Sequence, residues 1–161
     1  LFGSLYFSWY QKEHSESESI HRIQMAFLHL FIVNKSGGLI HHRSLSPRAP
    51  QIGTNEWLRI GSTFHSLHAI AAEASPLKTI EDGIEVIEGK GIILCCFQTR
   101  TGIKFVLTAE PGTLHIQTVL RDIYVSYSNC CKDPFYELDM PIRSELFSRA
   151  VDELMVRYDT R

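Results

Sequence analysis

The side chains best suited to chemistry in this chain are four cysteines in two adjacent pairs, Cys95–Cys96 and Cys130–Cys131. Neighbouring side chains on a strand point to opposite faces, so a disulfide within a pair is disfavoured and reduced thiols are the simpler expectation. A zinc site would need ligands from both pairs, with a histidine such as His41, His42 or His65. No C-x-x-C spacing pre-orients such ligands. We therefore expect buried thiols, no metal and no cofactor.

Catalysis by these side chains is also disfavoured. Cys95 and Cys96 lie inside an apolar run, where burial raises the pKa of a thiol and removes the reactive thiolate. His65 and His68 are three residues apart on a predicted helix, but no carboxylate lies between them. No G-x-x-x-x-G-K phosphate loop is present, which argues against nucleotide hydrolysis. A small thiol or metal enzyme is the least favoured function.

Composition excludes two further classes. The 161 residues are enough for one domain, and a formal charge of -2 with 21% charged residues provides no basic stripe for a nucleic-acid backbone. No run of 18 apolar residues occurs, so we expect no membrane span.

The aromatic segment Leu1–Tyr10 lacks the basic region of a signal peptide, and a polar low-complexity run follows it. We expect residues 1–24 to be an N-terminal extension, flexible or not native, and residues 25–161 to form the domain.

Hydrophobic patterning predicts an α+β fold. Strands are expected at 27–33, 39–43, 84–88, 92–98 and 103–109, and the short turns between the last three predict an antiparallel meander. A helix capped by Thr54 or Asn55 is expected to extend to Ala74, and further helices are expected over 116–127 and from about Ser144. This order gives a five-stranded antiparallel sheet, one long helix between strands 2 and 3, and two C-terminal helices, which is the longin or profilin-like plan.

The first predicted helix carries two stripes instead of one apolar and one charged face. The core stripe is expected to contain Trp57, Ile60, Gly61, Phe64, Leu67, His68, Ala71 and Ala74. A second stripe of mostly small side chains contains Leu58, Ser62, His65, Ala69 and Ala72. From 56 to 74 only Glu56, Arg59 and Glu73 are charged, and a solvated face usually carries more charge. We favour a protein partner on the second stripe over an internal cover.

The link 133–143, which we call the connector, combines two prolines, an aromatic pair and alternating acids. Proline restricts its own backbone and that of the preceding residue, so this link should hold a fixed, non-helical shape. Phe135, Tyr136, Pro141 and Arg143 are candidates for a second partner contact. An ordered connector pinned to the core explains the same residues equally well.

Several segments together resemble the synbindin (sybindin-like) family of small subunits of the TRAPP vesicle-tethering complex. The resemblance extends from Met25 to about Tyr158. The matching segments are Phe31–Ile40, Ser62–Ile70, Ser75–Pro76, Gly83–Val86, Cys96–Thr99, Thr101–Phe105 and Asp133–Phe147. Each piece alone is weak, and the set is highly specific. The form resembled lacks the PDZ-like insertion of animal members, because only Ser44–Gly53 fills that place.

The resemblance implies a longin-like fold and a non-catalytic place in the TRAPP core. Partners would be other TRAPP small subunits and, through the assembled complex, a Ypt/Rab1-type GTPase whose nucleotide exchange the complex promotes. The implied location is cytoplasmic and peripheral on ER and cis-Golgi membranes, in ER-to-Golgi transport. Leu58, Ser62, His65 and Ala69 are the residues expected to face a partner. The alternative is a longin-domain SNARE-like or coat-adaptor small-chain regulator.

Overall fold

A computed structural model describes residues 27–76, 83–132, 134, 136–137 and 139–159. The predicted extension 1–24 and the predicted domain start near Met25 lie outside these residues. So does Phe135, one of the candidate contact residues.

The described chain folds as an antiparallel sheet with three helices. Its elements are β1 (Phe27–Val33), β2 (Leu39–Ser44), α1 (Thr54–Ala74), β3 (Val86–Glu88), β4 (Ile93–Gln98), β5 (Lys104–Ala109), α2 (Ile116–Cys130) and α3 (Glu145–Asp159). The strand order is β2-β1-β5-β4-β3, and each neighbouring pair is antiparallel. The predicted α+β, longin-like plan is confirmed, including the long helix between strands 2 and 3.

The most apolar strands occupy the interior of the sheet. Every residue of β1 and β5 is buried, and each of these strands is paired on both edges. The turn between β1 and β2 is built on Asn34, whose side-chain oxygen accepts hydrogen bonds from the Ser36 and Gly38 amides at 3.1 and 2.7 Å. Gly37 in this turn has φ +91°, a conformation that glycine adopts without steric cost. Local turn chemistry thus fixes the register of the first hairpin.

Helices cover the two faces of the sheet unequally. On one face, α2 and α3 enclose a large apolar cluster that includes Leu30, Phe105, Leu120 and Phe147. On the other face, α1 covers a smaller cluster, whose fully buried members are Phe31, Val33, Trp57, Phe64, Cys96 and Val106. Cys95 belongs to the larger cluster and Cys96 to the smaller, so this pair does point to opposite faces as predicted.

Helix α1 contacts the sheet through a narrower stripe than the sequence predicted. Trp57, Gly61, Phe64 and His68 are buried, whereas Leu67 is 47% exposed. Consecutive helical residues are about 100° apart, so Leu67 lies on the flank beside the His68 contact line. The assignment of Leu67 to the core was wrong, and Ala74 at the helix end is exposed as well.

Helix α3 is held by a hydrogen bond in its first turn and by contacts with β2. The Ser144 hydroxyl accepts a hydrogen bond from the Phe147 amide at 3.3 Å, which satisfies a free donor of the first turn. The guanidinium of Arg43 on β2 donates to the Ser148 carbonyl at 3.1 Å and pairs with Asp152. The Arg43 contacts hold the first half of α3 against the β2 edge of the sheet.

Candidate partner-binding surface

The predicted second stripe of α1 lies along the flank of the helix that faces β2 and the first hairpin. Leu58 is 52% exposed, Ser62 and Ala69 are exposed, and His65 is half-buried. Of the described strands, α1 lies closest to β1 and β2, and no described helix packs against this flank. The stripe is therefore a largely open surface of small side chains within the described part of the chain.

His65 links this stripe to the first hairpin. Its ring lies so close to Gly37 that a Cβ there would come within 3.0 Å of Cδ2. Burial, and to a lesser degree the charge of Lys104, lower the pKa of His65 below its usual value. Lys104 is only 5% exposed and donates to the Gly102 carbonyl at 3.2 Å. The hairpin end of the stripe is thus ordered by close packing.

A groove of about 550 Å³ opens where the start of α1, strand β2 and the connector meet. We call it the β2–connector groove. Leu58 lines it together with Pro141 and Arg143, so three of the predicted contact residues meet at one place. The remaining lining residues, which the sequence analysis did not assign to a contact, are Leu39, Ile40, His41, His42, Thr54 and Ile142.

A second groove, also of about 550 Å³, lies on the other side of the connector. We call it the connector–α3 groove. Tyr136 lines it with Pro141 and Arg143, and its wall includes two exposed apolar side chains, Met140 at 53% and Leu146 at 73%. Apolar residues within the predicted connector and directly after it were the available sequence signal for this wall.

The connector forms the ridge between the two grooves, and main-chain contacts hold it in place. The Ile142 amide donates to the Ile40 carbonyl at the β2 edge over 2.8 Å. The Tyr136 hydroxyl donates to the Met140 carbonyl at 3.2 Å, and its ring lies 6.3 Å from that of Tyr127. Tyr136 therefore both lines a groove and packs on the core. The core packing agrees with a pinned connector, and the partner contact of Tyr136 stays a prediction.

The predicted contact residues form one group around the connector and another along α1. Leu58, Pro141 and Arg143 share the β2–connector groove, and Tyr136 joins Pro141 and Arg143 in the second groove. Ser62, His65 and Ala69 line neither groove and continue along the α1 flank. The predicted stripe and the predicted connector contact meet at Leu58.

Cys95 and Cys96 are buried thiols and are poorly suited to act as nucleophiles. Burial raises the pKa of Cys96 to about 12, and burial also raises the pKa of Cys95, so both are protonated at neutral pH. Within the described ranges no three His, Cys, Asp or Glu side chains gather as metal ligands would. None of the described helices is long and apolar enough to cross a membrane.

Comparison with known proteins shows which proteins this chain resembles. Trafficking protein particle complex subunit 4 of Dictyostelium discoideum is 42% identical over 127 residues, which cover 78% of this chain and 93% of that protein. The subunit 4 of Homo sapiens is 48% identical over 101 residues, 62% of this chain and 46% of the human protein, so the match spans about half of that relative. Subunit 1 of Homo sapiens is 26% identical over 134 residues, 80% of this chain and 90% of that protein. The profile of the Sybindin-like family matches residues 27–158, and the chain belongs to that family.

Proposed function

We propose that this chain is a non-catalytic core subunit of the trafficking protein particle (TRAPP) tethering complex. The observation that carries the proposal is the 42% identity that extends over 93% of the Dictyostelium discoideum subunit 4. A match over nearly the whole of a relative supports a shared place in an assembly better than a match to one motif.

The partners we propose are other TRAPP small subunits. Subunits 4 and 1 of the complex both resemble this chain, at 42% and 26% identity. The relatives therefore include more than one kind of subunit of the same complex. The α1 flank supports a protein contact, because small uncharged side chains allow close approach and little desolvation of charge. Leu58, Ser62, His65 and Ala69 form the proposed contact on that flank. Tyr136, Pro141 and Arg143 extend it across the connector, and we keep Phe135 as a proposed contact residue from the sequence.

Through the assembled complex, the chain contributes to the surface that promotes nucleotide exchange on a Ypt/Rab1-type GTPase. Exchange requires a surface that binds the nucleotide-free GTPase more tightly than the nucleotide-bound one, and no covalent step is needed. A chain whose strand thiols are buried and protonated suits a task without covalent chemistry. The site of action is the cytoplasmic side of ER and cis-Golgi membranes, where the complex acts peripherally in vesicle transport.

The test is reconstitution. Recombinant chain is mixed with the other small subunits of the same organism, and the assembly is isolated by size-exclusion chromatography. Release of a fluorescent GDP analogue from the GTPase is then measured with the complete complex, with a complex lacking this chain, and after the chain is added back. We expect co-elution and restored exchange on add-back.

A chain that neither co-elutes with the subunits nor restores exchange refutes the proposal. Stable binding to SNARE or coat-adaptor chains in the same experiment, with none to TRAPP subunits, would assign the chain to the alternative longin-domain regulators. The fold would be unchanged in either case.

A further inference from the structure

The β2–connector groove presents positive and neutral polar groups without a carboxylate. None of the residues that line it is Asp or Glu, and Arg143 stands exposed at its rim. Two carboxylates of neighbouring elements are engaged elsewhere: Glu56 accepts a hydrogen bond from the Gly53 amide at 3.1 Å, and Asp152 pairs with Arg43. Among the described residues, Arg143 has no ion-pair partner. Glu137 lines the connector–α3 groove together with Arg143, but the two make no ion pair, so the Arg143 guanidinium is not engaged in a salt bridge among the described residues.

The histidines of the groove do not supply the charge at neutral pH. Burial, together with the neighbouring charges of His42 and Arg43, lowers the pKa of His41 to about 4. Burial also lowers the pKa of His42, whose ring stacks on Trp57 at 5.1 Å. Both rings are neutral at pH 7, so Arg143 is the cation of this groove.

Much of the groove lining is apolar. Leu58 is 52% exposed on α1, and the other apolar lining residues are Leu39, Ile40, Pro141 and Ile142. A volume of about 550 Å³ is within the range of about 300–1,000 Å³ that is typical of ligand pockets. The groove thus combines apolar side chains with one cation. This combination favours a ligand that has an apolar group next to an anionic group.

Recognition here has to use side chains, because the nearby backbone is already occupied. The Ile142 amide donates to the Ile40 carbonyl, which fills a hydrogen-bonding position on the β2 edge. A partner strand cannot pair with the edge at that position without displacing the connector. Strand addition is thus blocked where the groove lies.

We propose that the β2–connector groove binds an acidic and apolar segment of a partner protein, with an apolar side chain against Leu58 and Pro141 and a carboxylate on Arg143. The inference rests on the proposed function in one respect, since it assigns the groove to a subunit contact. A guanidinium binds a carboxylate through two parallel hydrogen bonds, which fixes the direction of the incoming segment. The apolar side chain contributes most of the buried surface.

The first experiment measures binding of the recombinant small subunits by isothermal titration calorimetry. Arg143→Gln and Leu58→Ala are each expected to weaken the affinity at least tenfold, and the double variant less than the product of the two because the residues share one ligand segment. Arg149→Gln is the matched control, since Arg149 is an exposed arginine on α3 outside the groove. Its affinity should equal that of the wild type. Thermal unfolding confirms that each variant is folded.

The second experiment is independent of the subunits and uses a blocked pentapeptide, acetyl-Ser-Leu-Asp-Leu-Ser-amide, with its Asn-containing analogue. Amide NMR shifts of the labelled protein are expected to move at Leu39, Leu58 and Arg143 with the Asp peptide, and at least fivefold weaker binding is expected with the Asn peptide. Equal binding of both peptides, or no shifts in the groove, overturns the inference. So does wild-type subunit affinity in Arg143→Gln. If the wild type binds no subunit at all, the proposed function fails, and the peptide titration alone decides the inference.

Discussion

The two faces of the sheet are completed in different ways. On one face α2 and α3 enclose the cluster around Leu120 and Phe147, and the innermost side chains are 0% exposed. On the other face α1 alone covers a smaller cluster, and apolar side chains on both of its flanks stay exposed, with Leu58 at 52% and Leu67 at 47%. The first face is completed within the chain. Helices α2 and α3 also have exposed apolar side chains, among them Val125, Leu146 and Val156. The second face differs because a single helix with few charges covers it, and this is the side on which we place the partner.

This difference separates residues needed for folding from residues available for binding. Burial of a large apolar side chain contributes about 1.5–3 kcal/mol, and the two-helix face holds most of the fully buried ones. The α1 flank has small side chains and few charges, so changes there should affect stability little and affect association strongly. The predictions below test that separation.

The largest expected effect is on the two-helix face. Phe147→Ala removes a ring that is 0% exposed and should lower the free energy of unfolding by about 3–5 kcal/mol. Leu146→Ala is the matched control. The side chain of Leu146, the neighbouring residue, is 73% exposed, so this change should lower the free energy of unfolding by less than about 0.5 kcal/mol. Urea unfolding monitored by circular dichroism measures both. Similar losses for the two variants would show that α3 does not pack as described.

The next effect is on binding, at the α1 flank. Ala69→Arg places a long charged side chain on the exposed stripe, where the folded chain has room for it. We expect the free energy of unfolding to change by less than about 0.5 kcal/mol and subunit affinity to fall by about 100-fold, through steric conflict and a buried unpaired charge. Titration calorimetry with the small subunits measures the affinity.

The control for this change is Thr63→Arg, which adds the same side chain at an exposed position on the opposite flank of α1. It should bind subunits like the wild type. If Ala69→Arg unfolds the domain, the stripe belongs to the core. If both arginine variants bind normally, the partner does not contact this helix.

A pH-dependent loss of stability is expected from His41 on β2. The ring of His41 lies 5.0 Å from that of Phe147, and its folded-state pKa of about 4 is below the unfolded value of 6.5. The unfolded chain therefore binds more protons between these values, and stability is complete above pH 6.5 and decreases as the pH falls towards 4. The loss contributed by His41 should be about 2 kcal/mol at pH 5.

The check compares urea unfolding of wild type and His41→Asn at pH 7.5 and pH 5. The variant is expected to be less stable at pH 7.5, since it loses the contact with Phe147, but it should lose less additional stability on acidification. His42, His65 and His68 also have lowered pKa values, so the wild-type loss includes their contributions with the same sign. An identical pH slope in the two proteins would mean that His41 is not buried as a neutral ring.

Most of the fold could be predicted because its signals are local. The apolar run 27–33 became β1 with the same limits. The helix expected to be capped by Thr54 or Asn55 ends at Ala74, but its N-cap is Gly53 and Thr54 is its first residue. Apolar periodicity and turn residues act over a few positions, so the sequence displays them directly. The α1 core stripe was predicted too wide because periodicity cannot tell how much of a helix the sheet covers. Leu67 shows that error.

The candidate site could be predicted only in pieces. Leu58 and Arg143 were both expected to face partners, but their meeting in one groove depends on the Ile142–Ile40 hydrogen bond between distant parts of the chain. In the sequence, His41 and His42 were considered as histidines that a zinc site could use, although they line the same groove. Such contacts depend on tertiary packing, and no spacing rule reports them. The connection between stripe and connector therefore came from the structure alone.

The smallest predicted effect has the opposite sign and concerns the closest approach of α1 to the sheet. Gly61 is buried against Leu39 and Val33, and a Cβ there would lie 3.4 Å from the nearest Leu39 methyl carbon, which is ordinary van der Waals contact. Glycine within a helix costs about 0.5–1 kcal/mol relative to alanine, so Gly61→Ala should stabilise the domain by about that amount. Gly61→Leu should instead destabilise it by about 1–3 kcal/mol, because the larger side chain separates helix and sheet. Urea unfolding of the pair gives the test: if alanine destabilises as leucine does, α1 packs more tightly on its narrow stripe than the exposed flanks indicate, and the one-helix face is the less tolerant of the two.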